Sequence, residues 1–236
     1  MTEFIGRAGW GYLIVVGVAV PWAAARSARA FERRPLPPRL PFLFSIILQQ
    51  AALAWLALWV ARREYILLAW RVERPLAATL AGVVLTGAMI MAARPLWYDA
   101  VRRRDRRAYL TMPRTPGERV LWIGVSLAAG VGEEVAYRAV LFALLLRILG
   151  SPVQAALAAA ALFGLAHLVQ GWKSTLIVAG VALVLQALVW ITGGLAAAIV
   201  VHVAFDVVAG LAYGWYGERL GYPIEGVPPS GGRAHA

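Results

Sequence analysis

Six ionisable residues of this 236-residue chain stand where an apolar environment should exclude them. Glu133, Glu134, Arg138, His167, His202 and Asp206 all lie inside hydrophobic runs. A carboxylate or arginine at mid-bilayer costs at least ~2.5–3.5 kcal/mol on insertion scales. Six of them scattered over lipid-facing surfaces would be ruinous, so they are expected to converge in one polar pocket. The spacing agrees. Glu134 and Arg138 are four apart, on one helix face and within ion-pairing reach. His202 and Asp206 repeat that interval, and Phe163 shares a face with His167. Glu133 projects about 100° away from Glu134 around the helix. One carboxylate can therefore be tied to Arg138 while the other stays free for proton transfer. A buried carboxylate beside imidazoles suits general acid–base chemistry on water. The set Glu133, His167, His202 and Asp206 also offers the N and O donors that Zn²⁺ accepts.

The elements that must position these residues follow from composition. The chain is 61% hydrophobic and 15% charged, with a mean hydropathy of +0.69. Soluble domains carry about 25% charged residues, so a soluble enzyme, a disordered tail and a fibrous repeat are excluded. Apolar runs occupy residues 10–25, 41–61, 76–93, 120–149, 153–169, 175–191 and 195–215. A span needs about 20 residues. The expected fold is an all-α, polytopic transmembrane helical bundle of about seven spans, or eight if 120–149 divides. The net charge is +11, and 22 of the 23 basic residues are Arg, mostly between the apolar runs. That pattern orients a membrane protein and implies no nucleic-acid partner. The Arg-rich first and third loops (26–39 and 94–119) are expected inside and the amino terminus outside. The first run reads as a membrane anchor rather than a signal peptide. Residues 1–118 read as amino-terminal spans, 119–216 as a catalytic helical core, and the Gly/Pro-rich 217–236 as a flexible tail. With no Cys there is no thiolate nucleophile and no disulfide.

The polar residues fall into three strings: EEVAYR at 133–138, FGLAH at 163–167 and HVAFD at 202–206. In order, they resemble the Glu-Glu-x-x-x-Arg, Phe-x-x-x-His and His-x-x-x-Asn/Asp motifs of the CPBP intramembrane proteases. That family includes the type II CAAX prenyl endopeptidases and is also called the ABI family. The resemblance covers roughly residues 120–215 and leaves the first three spans without a family signature. It implies hydrolysis of peptide bonds in membrane-associated or peptide substrates, with water activated by Glu133 and His167. His202 and Asp206 would stabilise the oxyanion. Because an ionised Asp cannot donate, Asp206 is expected to orient His202, a departure from the Asn found in eukaryotic members. Glu134 and Arg138 would brace the first motif. Both glutamate-type and metallo-type mechanisms are described for the family. A metal-free site is favoured here, with Zn²⁺ through Glu133, His167, His202 and Asp206 as the other reading.

Other chemistries lack their residues. There is no Gly-x-Ser-x-Gly elbow and no His-Glu-x-x-His, and an aspartyl pair is missing because Asp99 and Asp105 lie in the Arg-rich loop. Two further readings use the same buried charges: a proton-coupled transporter and a catalytically silent membrane scaffold. Neither an inverted repeat nor paired broken helices support the transporter. The expected partners are the lipid bilayer and a peptide or membrane-protein substrate, and the expected location is a bacterial inner membrane. One geometric expectation is sharp. Glu133, His167 and His202 should sit on three helices around one water-sized cavity, with Arg138 turned back toward Glu134.

Overall fold

A computed structural model of the protein describes residues 4–228. Seven continuous helices account for most of them. They are α1 (Arg7–Arg33), α2 (Arg39–Arg63), α3 (Pro75–Arg102), α4 (116–149), α5 (Pro152–Ala166), α6 (Trp172–Thr192) and α7 (Leu195–Arg219). Of these, α1, α2, α3, α6 and α7 are long and apolar enough to cross a membrane. The all-α polytopic bundle is therefore present. The long run 120–149 does not divide into two spans. It is one rod, α-helical over Pro116–Glu133, π-helical over Glu134–Leu141 and α-helical again over Phe142–Leu149.

Local chemistry sets the helix limits. Thr115 and Glu118 form a capping box at the start of α4: the Thr115 hydroxyl accepts the Glu118 amide at 3.2 Å, and the Glu118 carboxylate accepts the Thr115 amide at 3.2 Å. These bonds satisfy donors that a helix start otherwise leaves open. Helices α3, α4 and α5 each begin with Pro at the first position, where a missing N–H costs nothing. The turn into α7 needs glycine twice. Gly193 has φ +79°, and a Cβ on Gly194 would lie 2.1 Å from the Arg71 carbonyl. Gly194 therefore lets the 64–74 loop press onto the α6–α7 turn, where Leu195 N–H donates to Ala69 O at 2.8 Å.

The loops sort into two ends. At one end the Arg106 guanidinium donates to the carbonyls of Phe31, Arg34 and Val227, and Arg107 pairs with Glu32. Arg39 donates to Tyr109 O, Arg114 to Tyr222 O and the Tyr222 hydroxyl to Asp105 O. The first and third loops thus share a face, as their arginines led one to expect. At the opposite end the Glu64 carboxylate accepts the amides of Gly6 and Gly9 at the start of α1, and Arg147 at the end of α4 donates to Glu64 O. The stretch 217–228, read from sequence as part of a flexible tail, is packed: it completes α7 and then buries Tyr222 against Tyr109, Met112 and Val101. Burial pushes the Tyr222 phenol up to about 12. The rest of that tail, 229–236, lies outside the described residues.

Helix α4 runs through the middle. Residues 132–141 are all buried, so this stretch is covered on every side. Its neighbours in the main core are Tyr12 and Val16 of α1, Ala57 and Val60 of α2, Ala159, Ala160 and Phe163 of α5, Ala182 of α6 and Leu195 of α7. The many alanines let helix backbones approach closely, as membrane bundles require.

Candidate active site

The charged residues of the first motif straddle the change from α- to π-helix. Glu133 ends the α-helical part and Glu134 begins the π-helical one. A π-stretch bonds i to i+5, adds a residue to the turn and re-aims the side chains beyond it. It is braced from outside, since the Tyr12 hydroxyl of α1 donates to Ala136 O at 2.9 Å.

Glu133 is buried, and its two oxygens have different company. Oε1 accepts Nε2–H of Gln50, on α2, at 2.6 Å. Oε2 lies 3.9 Å from Nε2 of His167 and 3.7 Å from Nε2 of His202. His167 stands at the end of α5, where its ring turns back so that Nδ1 meets Phe163 O at 2.8 Å. A carbonyl only accepts, so Nδ1 carries the proton, and in the neutral ring Nε2 offers a lone pair toward Glu133. His202 comes from α7. Its Nδ1 donates to Glu134 Oε1 at 2.7 Å, and its Nε2 is 3.5 Å from Asp206 Oδ2. Glu133, His167 and His202 therefore do meet from three helices.

Glu134, fully buried, is also faced by Arg138 at 3.2 Å, as the four-residue spacing predicts. The Arg138 guanidinium lies 4.2 Å from the centre of the Phe163 ring, which in turn lies 4.5 Å from the His167 ring and 4.8 Å from that of Tyr137. Phe163 is thus the apolar wedge against which both the arginine and a histidine are set. A cation over an aromatic face is attractive, and more so when desolvated. A cavity of ≈ 10 Å³, about one water, lies beside this arginine and is lined by Arg138, Tyr137, Phe163 and Gln186 among others. The water-sized cavity was expected against Glu133 and the histidines instead.

Two carboxylates face the His202 ring, Glu134 at Nδ1 and Asp206 at Nε2. Asp206 faces the opposite nitrogen and is partly open, with its side chain 30% exposed. Glu134 accordingly does more than brace its own helix: it ties the first motif to the third. Gln50 is not among the residues expected from sequence, because its amide carries no charge. The signal available was Gln49–Gln50, a pair of amides in the middle of an otherwise apolar run.

The backbone around the third motif is tightly set. Trp122 Nε1–H donates to Asp206 O at 2.8 Å, and a Cβ on Gly210 would fall 2.1 Å from that indole nitrogen. The small residue lets α4 and α7 close on each other. As for a metal, no group of three or more His, Asp or Glu side chains among the described residues is arranged to hold one. Glu133 Oε1 and His202 Nδ1 are already engaged by Gln50 and Glu134. The donors still open, Glu133 Oε2 and the Nε2 atoms of His167 and His202, are those the Zn²⁺ reading would use.

This geometry lies within one recognisable segment. Residues 115–208 match the family model for type II CAAX prenyl endopeptidase, Rce1-like. No curated protein and no solved structure matches the chain. The Rce1-like segment contains all six ionisable residues of the three motifs, and it is the family their spacing resembles. It supports intramembrane CAAX-type endopeptidase activity as a general class. With several helices able to cross a bilayer, the protein is a multi-pass membrane protein. Gln50 and Tyr12 lie on α2 and α1, outside the Rce1-like segment.

Proposed function

We propose that the protein is a glutamate-type intramembrane endopeptidase in which Glu133 is the general base, acting on peptide or membrane-protein substrates in a bacterial inner membrane. The observation that carries this reading is the meeting of Glu133 Oε2 with the Nε2 atoms of His167 and His202 at 3.9 and 3.7 Å. Gaps of that size are too long for direct hydrogen bonds but are spanned by one water bonded at ~2.8 Å to each side. Such a water is polarised by Glu133 and His167 together. Its oxygen attacks the scissile carbonyl carbon, a C–O bond forms, and its proton passes to Glu133. The carbonyl π electrons move onto oxygen. His202, held at Nδ1 by Glu134, presents Nε2 as the donor to this oxyanion, preorganised at the developing charge. When the oxyanion collapses the C–N bond breaks, and the proton held by Glu133 goes to the leaving amine. Asp206, 3.5 Å from His202 Nε2, keeps that nitrogen aimed into the site. No step uses a metal.

The test is Glu133→Gln in proteoliposomes with a fluorogenic membrane-anchored peptide. General bases contribute roughly 10²–10⁴-fold, and a loss of that size with unchanged membrane insertion is expected. Unchanged cleavage would remove Glu133 from the mechanism. Proton flux driven by a pH gradient, without any cleavage, would replace the enzyme with a transporter.

A further inference from the structure

We propose that Gln50 is a positioning residue for this hydrolysis, holding the Glu133 carboxylate so that its second oxygen faces the histidines. The inference rests on Glu133 being the base. Gln50 is separated from Glu133 by 83 positions in sequence and comes from a helix outside the Rce1-like segment. Its Nε2–H reaches Oε1 at 2.6 Å, well within hydrogen-bonding distance of the carboxylate. A glutamate side chain has three rotatable bonds. With one oxygen anchored by a donor on another helix, the carboxylate has little freedom left and Oε2 keeps its aim. Without it, the base would have to be ordered again in every turnover.

Two independent features point the same way. The first is Gly132, the residue before the base. A Cβ there would come 2.9 Å from the Gln50 carbonyl oxygen and 3.4 Å from Gln50 Oε1. The missing side chain is what lets α4 close on α2 at this level and brings the amide within reach. The second is the other end of the same amide. Gln50 Oε1 is buried and has no hydrogen-bond partner among the described residues. A buried unsatisfied carbonyl is destabilising, and a leucine or methionine here would avoid it. The amide is accounted for by what its nitrogen holds.

The experiment measures kcat, KM and Tm for the full-length protein in proteoliposomes with Gln50→Met, which matches the side chain in length and removes the N–H. Losing a hydrogen bond to a charged group should lower kcat by about tenfold or more, with KM unchanged and any fall in Tm too small to account for the loss. Gln50→Asn keeps the amide but shortens its reach, and its kcat should fall between those of Gln50→Met and the wild type. Three results overturn the proposal: kcat within twofold of wild type, a KM rising in step with the loss (which puts Gln50 on the substrate), or a lowered Tm accounting for it (which makes Gln50 a packing residue). Glu133→Gln is assayed alongside. If that variant still cleaves, the reading of Glu133 fails and takes the role of Gln50 with it. If it is inactive while Gln50→Met is not, only the role of Gln50 fails.

Discussion

Two glutamates of this protein are equally well hidden from solvent, Glu64 at 5% exposure and Glu133 at 7%, and their surroundings differ in kind. Glu64 is held by groups that cannot leave. Its oxygens accept the amides of Gly9 at 2.7 Å and Gly6 at 2.9 Å, at the positive end of α1, and Arg147 lies 3.6 Å away. A carboxylate at a helix start is stabilised by the open amides and the helix dipole. Glu133 has one fixed donor, the Gln50 amide, and beyond it two imidazole nitrogens at 3.9 and 3.7 Å, too far for direct hydrogen bonds. Both burials are costly, and both are offset. The offset around Glu64 is complete and static, whereas the offset around Glu133 is half supplied by groups that can give or take a proton. Burial of a carboxylate is therefore no sign of chemistry by itself. The unfilled half of its shell is.

This contrast can be tested by treating the two residues alike. The largest difference is expected in rate: Glu133→Gln should cost roughly 10²–10⁴-fold in kcat, whereas Glu64→Gln should leave kcat per folded molecule within about twofold of wild type. A comparable loss in both would break the distinction. In stability the order reverses. Glu64→Gln removes a charged acceptor from two buried amides and should cost about 1–3 kcal/mol, seen as a lower Tm in detergent, with Glu133→Gln milder. Glu134 belongs to both classes, since it pairs with Arg138 and with His202. Glu134→Ala strands a buried arginine and should cost about 3–5 kcal/mol, a greater fall in Tm than for Glu64→Gln. Its inactivity should then persist in the molecules that remain folded, as read by pairing activity with a folding-sensitive fluorescence signal. Smaller still is Tyr12→Phe, which frees the Ala136 carbonyl in the π-stretch and should cost about 1 kcal/mol. The smallest effect is expected from a chelator. Rates measured after dialysis against EDTA should match those before it, and a loss restored by Zn²⁺ would overturn the metal-free step.

The motif residues were legible in the sequence for a thermodynamic reason. An ionisable group in a membrane helix needs a partner, so Glu133, Glu134, Arg138, His167, His202 and Asp206 announce a common pocket wherever the helices happen to cross. Glu64 and Glu118 were hidden by the same logic in reverse. They lie at helix ends among arginines and read as loop charges, yet both are buried as caps. Gln50 was only faintly legible, as one of two neighbouring amides in an apolar run, because a neutral amide in a span costs less and because the crossing of α2 with α4 is a tertiary fact. The π-stretch left no trace, since EVAYRAVL has the composition of any buried helix. Tyr222 sits in a string of Gly and Pro that looks unstructured, and what holds that string down, Asp105, Arg106, Tyr109 and Arg114, is far away in sequence.

The length of α5 carries one more consequence. Its 15 residues, at 1.5 Å apiece, make a cylinder of about 22 Å. The hydrocarbon slab of an ordinary bilayer is about 30 Å thick. A cylinder that falls short cannot be relieved by tilting, which only shortens its vertical reach, and local thinning of the lipid is one way to accommodate it. His167 stands at the tip of that short cylinder. On the function proposed above, a bilayer drawn in at that tip would bring water to His167 without a channel through the protein. In this cysteine-free chain, Leu168→Cys should react with a charged, water-soluble maleimide, while Leu157→Cys, exposed at mid-helix, should not. Equal labelling of the two would mean that no such depression exists.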